Sequence, residues 1–232
     1  MNRTGNRQSG IAIGPILFVV AILAVLASAI AAGSGAFNSD TSAVSAKAQA
    51  SAILEYANEV KMAVDRVLGH GCTDTQISFE NPLYGNYTNP NAPGDKSCHV
   101  FDPNGGGIIL KKPHLDWLDP AQHGSFHGYF NFSGGNSVIG FGGPLNQAYT
   151  TELIFIFHNL KDDICRKVNE LVGIDGIPDN GVNYSYSNYF IGVYWASGQI
   201  RAAGLEGHMA GCFYSSTNGL NHNVFYQVLI AR

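Results

Sequence analysis

The sequence predicts an α+β fold: a long N-terminal helix, transmembrane first and amphipathic after, packed on an antiparallel sheet in a loop-rich, disulfide-stabilised head. Three observations predict it. They are an uncharged apolar run from Ile11 to Ala32, a helical periodicity from Val44 to Leu68, and strand-like apolar segments separated by turn signals towards the C-terminus. The organisation that follows is a basic leader over 1–10, a membrane helix over 11–32, a hinge and amphipathic helix over 33–68, and an extracytoplasmic head over 69–232.

The run from Ile11 to Ala32 spans 22 residues, follows a leader carrying Arg3 and Arg7, and is succeeded by no Lys or Arg until Lys47. About 20 apolar residues rising about 1.5 Å each cross a hydrocarbon layer of roughly 30 Å, and the basic flank stays in the cytoplasm. Everything from Gly33 onward is then expected outside. The residues leave three fates open: cleavage after Ala29, where Ala27-Ser28-Ala29 meets the small-x-small rule; retention as an uncleaved anchor; or cleavage after Gly10, which leaves Ile11 as the new N-terminus.

From Val44 to Leu68 apolar residues recur at Ile53, Ala57, Val60, Val64 and Val67, the spacing of one helical face. Asn38, Ser39, Asp40 and Thr41 offer N-caps, and Gly69 with Gly71 supplies the stop. The Gly33-Ser34-Gly35 stretch predicts a hinge between this helix and the apolar one, since Gly costs about 1 kcal/mol relative to Ala inside a helix.

Composition fits an extracytoplasmic protein and narrows its partners. Charged residues make up 13% of the chain, while Gly numbers 28, Phe 13 and Tyr 11, so the surface is polar without being ionic. A net charge of −4 with only 13 dispersed Lys and Arg gives no basic field, and direct nucleic-acid binding is not expected.

The four cysteines, Cys72, Cys98, Cys165 and Cys212, all fall in the outside part, where an even count reads as two disulfides. Of the three pairings, Cys72 with Cys98 and Cys165 with Cys212 is favoured: the first two bracket one loop-rich stretch, and the last two sit in segments that read as packed elements. A bridge closing a loop of roughly 25 residues stabilises by about 3 kcal/mol in the chain-entropy model. Zinc is the alternative raised by His70 beside Cys72 and His99 beside Cys98, but no C-x-x-C pair supports it.

Taken together, a basic leader ending at Gly10, an apolar helix starting at once with Ile11, an alanine-rich amphipathic extension and a cysteine-containing head resemble the plan of the type IV pilins and pseudopilins. The strand-like run Glu152 to His158, leading into a helix that holds Cys165, and Cys212 ahead of a final strand from Asn223 to Ile230, are similar to type IVb pilin heads. The resemblance implies processing after Gly10 by a prepilin peptidase, methylation at Ile11, storage in the inner membrane and assembly with other pilin-like subunits. It departs at Pro15, which stands where most pilins carry the glutamate that pairs with a neighbour's N-terminus. Proline is tolerated in a first helical turn, and the missing carboxylate points to a minor or initiating subunit.

Within the head, residues 72–149 are dense in Gly, Pro, Asn and aromatics and read as a loop-rich insertion, with Ile108–Leu110 and Val138–Phe141 as its strand candidates. Beyond it, Leu153–Phe157 reads as a buried strand. Asn159 is expected to cap a helix with an apolar face of Leu160, Ile164, Val168 and Leu171, ending at Gly173. Tyr189–Trp195, Phe213–Tyr214 and Val224–Ile230 read as further strands.

Catalytic signatures are not found: no G-x-S-x-G, no Walker loop and no H-E-x-x-H occurs, so neither an enzyme nor a cofactor is expected. His123 and His127 are four apart, but Gly124 and Gly128 argue against a metal-binding helix, and no metal is expected. Asp116 and Asp119 flank Trp117 without a calcium-loop pattern and read as a solvated turn. Asn86, Asn131 and Asn183 head N-x-S/T triplets. The cluster of Tyr184, Tyr186, Tyr189, Phe190, Tyr194 and Trp195 is the candidate contact surface, since Tyr and Trp offer rigid amphipathic area, although strand alternation would send half of it into the core. The expected function is a pilin-like structural subunit of a type IV pilus or secretion pseudopilus. The alternative is an exported or membrane-anchored domain that binds glycan or protein through this Tyr-rich head.

Overall fold

Alanine-rich sequence with an apolar residue every third or fourth position gives a helix, α1, that is helical from residue 42 to residue 69. The structure is a computed structural model describing residues 42–121, 128–141, 151–186, 189–195, 197–217 and 221–232. The chain divides into two compact units, Met1–Ser45 and Ala46–Arg232. In the first, only residues 42–45 are described, and they are helical. Gly10, Ile11, Pro15, the apolar run to Ala32, the expected hinge and the cap candidates Asn38–Thr41 lie outside the described residues. Among the described residues no helix is long and apolar enough to cross a membrane.

The second unit is α+β. Its sheet comprises β1 (Phe130–Val138), β2 (Glu152–Leu160), β3 (Gly198–Ile200), β4 (Ala210–Ser215) and β5 (His222–Ile230), in the order β3-β1-β2-β5-β4. β1–β2, β2–β5 and β5–β4 are antiparallel, but β1–β3 is parallel, so the sheet is mixed rather than antiparallel as expected. The parallel strand is three residues long and is held by non-local partners, which no local pattern announces.

Side-chain alternation sorts the strands into two faces. Leu153, Phe155, Phe157, Phe130, Phe132 and Phe225 lie on one, packed with Ile53, Ala57, Val60, Val64 and Val67 of α1, and all five of those helix residues are fully or almost fully buried. Ile154, Ile156, Val224, Tyr226 and Val228 lie on the other, covered by Ile174, Tyr184, Ala202 and Leu205 from the loops. Both faces of β2 are therefore buried, which accounts for its unbroken apolar run. The helix-side face is aromatic: Tyr56 sits 5.1 Å from Phe130, and Phe79 stacks on Phe132 at 4.2 Å.

α2 (Asp162–Val172) closes at Gly173, whose left-handed φ of 82° lets the Ile174 N–H reach back to the Asn169 carbonyl. The expected cap Asn159 belongs to β2 instead. It tolerates a φ of 62° at a bulge where its carbonyl accepts the Asp119 N–H, and Lys161 takes the cap position. Leu171, expected on the apolar face, is exposed. Ile108–Leu110 forms no strand, and β1 ends at Val138 where a strand was expected to begin.

Cys72 is bonded to Cys98 and Cys165 to Cys212, with Cα–Cα distances of 5.9 and 5.5 Å. The second bridge ties α2 to edge strand β4, and the buried Asn169 side chain repeats the tie: its Oδ1 accepts the Cys212 N–H at 2.7 Å and its Nδ2 donates to the Cys212 carbonyl at 2.8 Å. The sheet's two outer edges are joined through residues 178–185. The Asn180 N–H donates to Tyr214 of β4, while its Nδ2 donates to Gln199 of β3 and its Oδ1 accepts the Arg201 N–H. Neither edge is left with a bare row of backbone groups.

Replacing Phe155 with alanine removes an aromatic ring buried between α1 and the sheet and is expected to lower stability by about 3–5 kcal/mol. Ile109→Ala, at a side chain 79% exposed, is expected to stay within about 0.5 kcal/mol. Equilibrium urea unfolding of the disulfide-intact chain measures both.

Candidate functional site

β3 pairs only with Asn136–Val138, so among the described residues the outer edge of β1 from Phe130 to Gly135 has no strand beside it. Loops cover it instead. The Phe190 N–H donates to the Phe132 carbonyl, the Trp195 N–H to the Gly134 carbonyl, and the Tyr87 hydroxyl accepts the Phe132 N–H at 3.1 Å. The segment Tyr189–Trp195, expected as a strand, is therefore an irregular loop laid along a strand edge. Gly192 accounts for part of this: its φ is 83°, and a Cβ there would meet the Thr75 carbonyl oxygen at 2.4 Å.

Where this loop leaves β1 a cleft of about 260 Å³ opens, lined by Tyr84, Asn86, Tyr87, Tyr129, Phe130, Asn131 and Tyr189. Its floor is fixed. The Tyr87 hydroxyl donates to Asn131 Oδ1 at 2.7 Å, and Asn131 Nδ2 donates to the Tyr186 carbonyl at 2.8 Å. Burial pushes the Tyr87 phenol well above its ordinary pKa, so it remains a donor at every physiological pH. The walls are two edge-to-face ring pairs, Tyr84 with Tyr129 at 4.9 Å and Tyr87 with Tyr189 at 5.1 Å. Tyr129 is 43% exposed and Asn86 stands exposed at the rim.

The residues grouped by sequence into one contact surface are dispersed. Tyr189 lines the cleft, and Tyr186 contributes its carbonyl to the floor. Tyr184 is 3% exposed and belongs to the core of the opposite sheet face. Tyr194 packs edge-on against the buried Phe190 under the Arg232 guanidinium, and Trp195 is partly exposed beside Gly134. Asn131 is buried in β1 with its amide engaged, whereas Asn86 and Asn183 are exposed. Asp116 is exposed beside His114, and the Asp119 carboxylate accepts the Ala121 N–H, an ordinary turn. His123 and His127 lie outside the described residues. Among the described residues no group of His, Cys, Asp or Glu could hold a metal ion. Sequence reading missed Tyr84, Tyr87 and Tyr129 as a cluster; the Tyr and Asn density over residues 81–91 was its only signal.

Two further buried polar arrangements lie away from the cleft. The Tyr184 hydroxyl bridges His158 Nδ1 at 3.1 Å and His222 Nε2 at 2.8 Å, and burial lowers the pKa values of the two imidazoles to about 3 and about 4. Glu152 Oε2 accepts the Val138 N–H at 2.7 Å, and burial raises this carboxyl to about 7. Both read as core polar groups held neutral by desolvation.

Comparison of the chain with protein-family models, curated proteins and solved structures finds no match.

The buried titrating groups predict how stability responds to pH. Below the ordinary imidazole value of 6.5 the unfolded chain takes up protons that native His158 and His222 refuse, so stability is lost as pH falls from 6.5 towards 4. Native Glu152 holds a proton that the unfolded chain releases above 4.5, so its contribution is lost as pH rises through about 7. Two imidazoles oppose one carboxyl, and stability is expected to rise from pH 5 and level off near about pH 7, with His222→Gln flattening the acid limb. Urea midpoints measured from pH 5 to 8 check this, and a steady rise across the range contradicts it.

Proposed function

We propose that this protein is a pilin-like structural subunit, processed after Gly10, that assembles through its N-terminal apolar helix into a type IV pilus or a related secretion pseudopilus. The observation that carries the reading is the burial of α1. An amphipathic helix docks the face Ile53, Ala57, Val60, Val64 and Val67 on the head's sheet, and in sequence it follows an uncharged apolar run that starts directly after a basic leader. One apolar helix would then serve two environments, soluble in lipid before assembly and buried against neighbouring helices afterwards. Pro15 in place of the usual glutamate fits a minor or initiating position. The partners of this reading are other pilin-like subunits, a prepilin peptidase and the inner membrane, with the head facing outward. It assigns no catalysis, cofactor or direct nucleic-acid contact.

A second reading, an exported or anchored binding domain, draws support from the cleft between Tyr84, Tyr129 and Tyr189. Gly10→Val separates the two. In the subunit reading the variant accumulates in the inner membrane and disappears from the filament fraction sheared from cells. In the anchored-domain reading its distribution is unchanged.

A further inference from the structure

From the cleft on the uncovered edge of β1 we infer a binding site for a single neutral pyranose unit of a glycan. The inference does not rest on the filament reading, because the head of an assembling subunit and an anchored domain would carry the same cleft.

Size comes first. At about 260 Å³ the cleft lies just below the range of roughly 300–1,000 Å³ typical of drug-sized ligands, so it takes one ring and not an extended molecule. Charge comes second. None of its described lining residues is ionic, which disfavours phosphate, sulfate and carboxylate groups as well as free amines. Chemistry comes third. A pyranose presents C–H groups on its faces and hydroxyls around its rim. Aromatic faces carry partial negative charge that attracts such C–H groups, and Tyr129, Tyr84 and Tyr189 supply ring surface on the walls. Amide groups that both donate and accept suit the hydroxyls, and the cleft holds two, Asn86 at the rim and Asn131 in the floor. An all-aromatic cage for a quaternary ammonium would need no such amides.

The floor is also organised in advance. Tyr87 and Asn131 are locked by their mutual hydrogen bond and by ties to Phe132 and Tyr186, so binding need not order them. Asn131 retains one amide hydrogen and one lone pair beyond these bonds. The exposed wall residue Tyr129 is the side chain whose loss should weaken stacking most while sparing the core.

The test uses the full chain in a polyoxyethylene detergent, which carries neither sugar nor ammonium. Saturation-transfer NMR and titration are run with the methyl glycosides of glucose, galactose, mannose and N-acetylglucosamine, and with tetramethylammonium. The expected result is millimolar binding of at least one glycoside, with saturation concentrated on ring C–H protons, weakened about tenfold in Tyr129→Ala and in Asn86→Ala. Urea midpoints unchanged from the parent chain show that both variants fold. Binding of none of the four glycosides overturns the inference. So does binding of tetramethylammonium alone, or glycoside binding that neither substitution weakens.

Discussion

The head depends on one contact, the burial of α1 against the aromatic face of the sheet. Phe130, Phe132, Phe155, Phe157 and Phe225 would otherwise form a contiguous apolar surface of a kind that soluble monomers rarely expose. Tyr56 is the pivot. Its ring meets Phe130 and Phe155, its hydroxyl accepts the Lys111 N–H, and Lys111 reaches over the ring to Glu59. The loop that follows Cys98 is thereby fastened along the helix, with the Arg66 guanidinium bonded to the Gly106 carbonyl further down. The Cys72–Cys98 bridge fixes the turn out of α1, so helix, loop and sheet are set as one piece.

A second constraint closes the sheet. A five-stranded sheet has two edges, and here both are satisfied by the segment around Asn180, whose backbone and side chain contact β4 and β3. Disulfide and amide together hold α2 to β4 at Cys212. The part of β1 left over by this closure is covered by loops and a phenol instead of a strand, and irregular cover of a straight edge leaves a cleft. The candidate site is thus a consequence of how the sheet ends.

Elements fixed by local pattern were legible in the sequence. The helical face Ile53, Ala57, Val60, Val64 and Val67, the buried strand from Leu153, the final strand and the stop at Gly173 each carry their own periodicity or backbone requirement. Elements fixed by distant partners were not. Tyr189–Trp195 has strand-like composition, but Gly192 must pass close to Thr75, which is remote in sequence. Asn159 looks like a helix cap because Asn favours both caps and left-handed backbone, and the ladder to β5 decided for the second. Tyr184 and Tyr186 are neighbours in an aromatic cluster, yet both rings pack on the core of the opposite sheet face and Tyr186 gives the cleft floor its carbonyl. The cleft joins residues 84–87, 129–131 and 189, a conjunction no single stretch of sequence contains.

In the proposed function the described unit is a head held by its own contacts, and the fate of the N-terminal segment decides what that head is for. An assembling subunit keeps its apolar helix after processing, an exported domain loses it, and a simple anchored head keeps the leader as well. Intact-mass and N-terminal peptide mass spectrometry of the protein from its native cell envelope tests this most directly. The account predicts a mature chain beginning at N-methylated Ile11, whereas a chain beginning at Ile30 or at Met1 would contradict it.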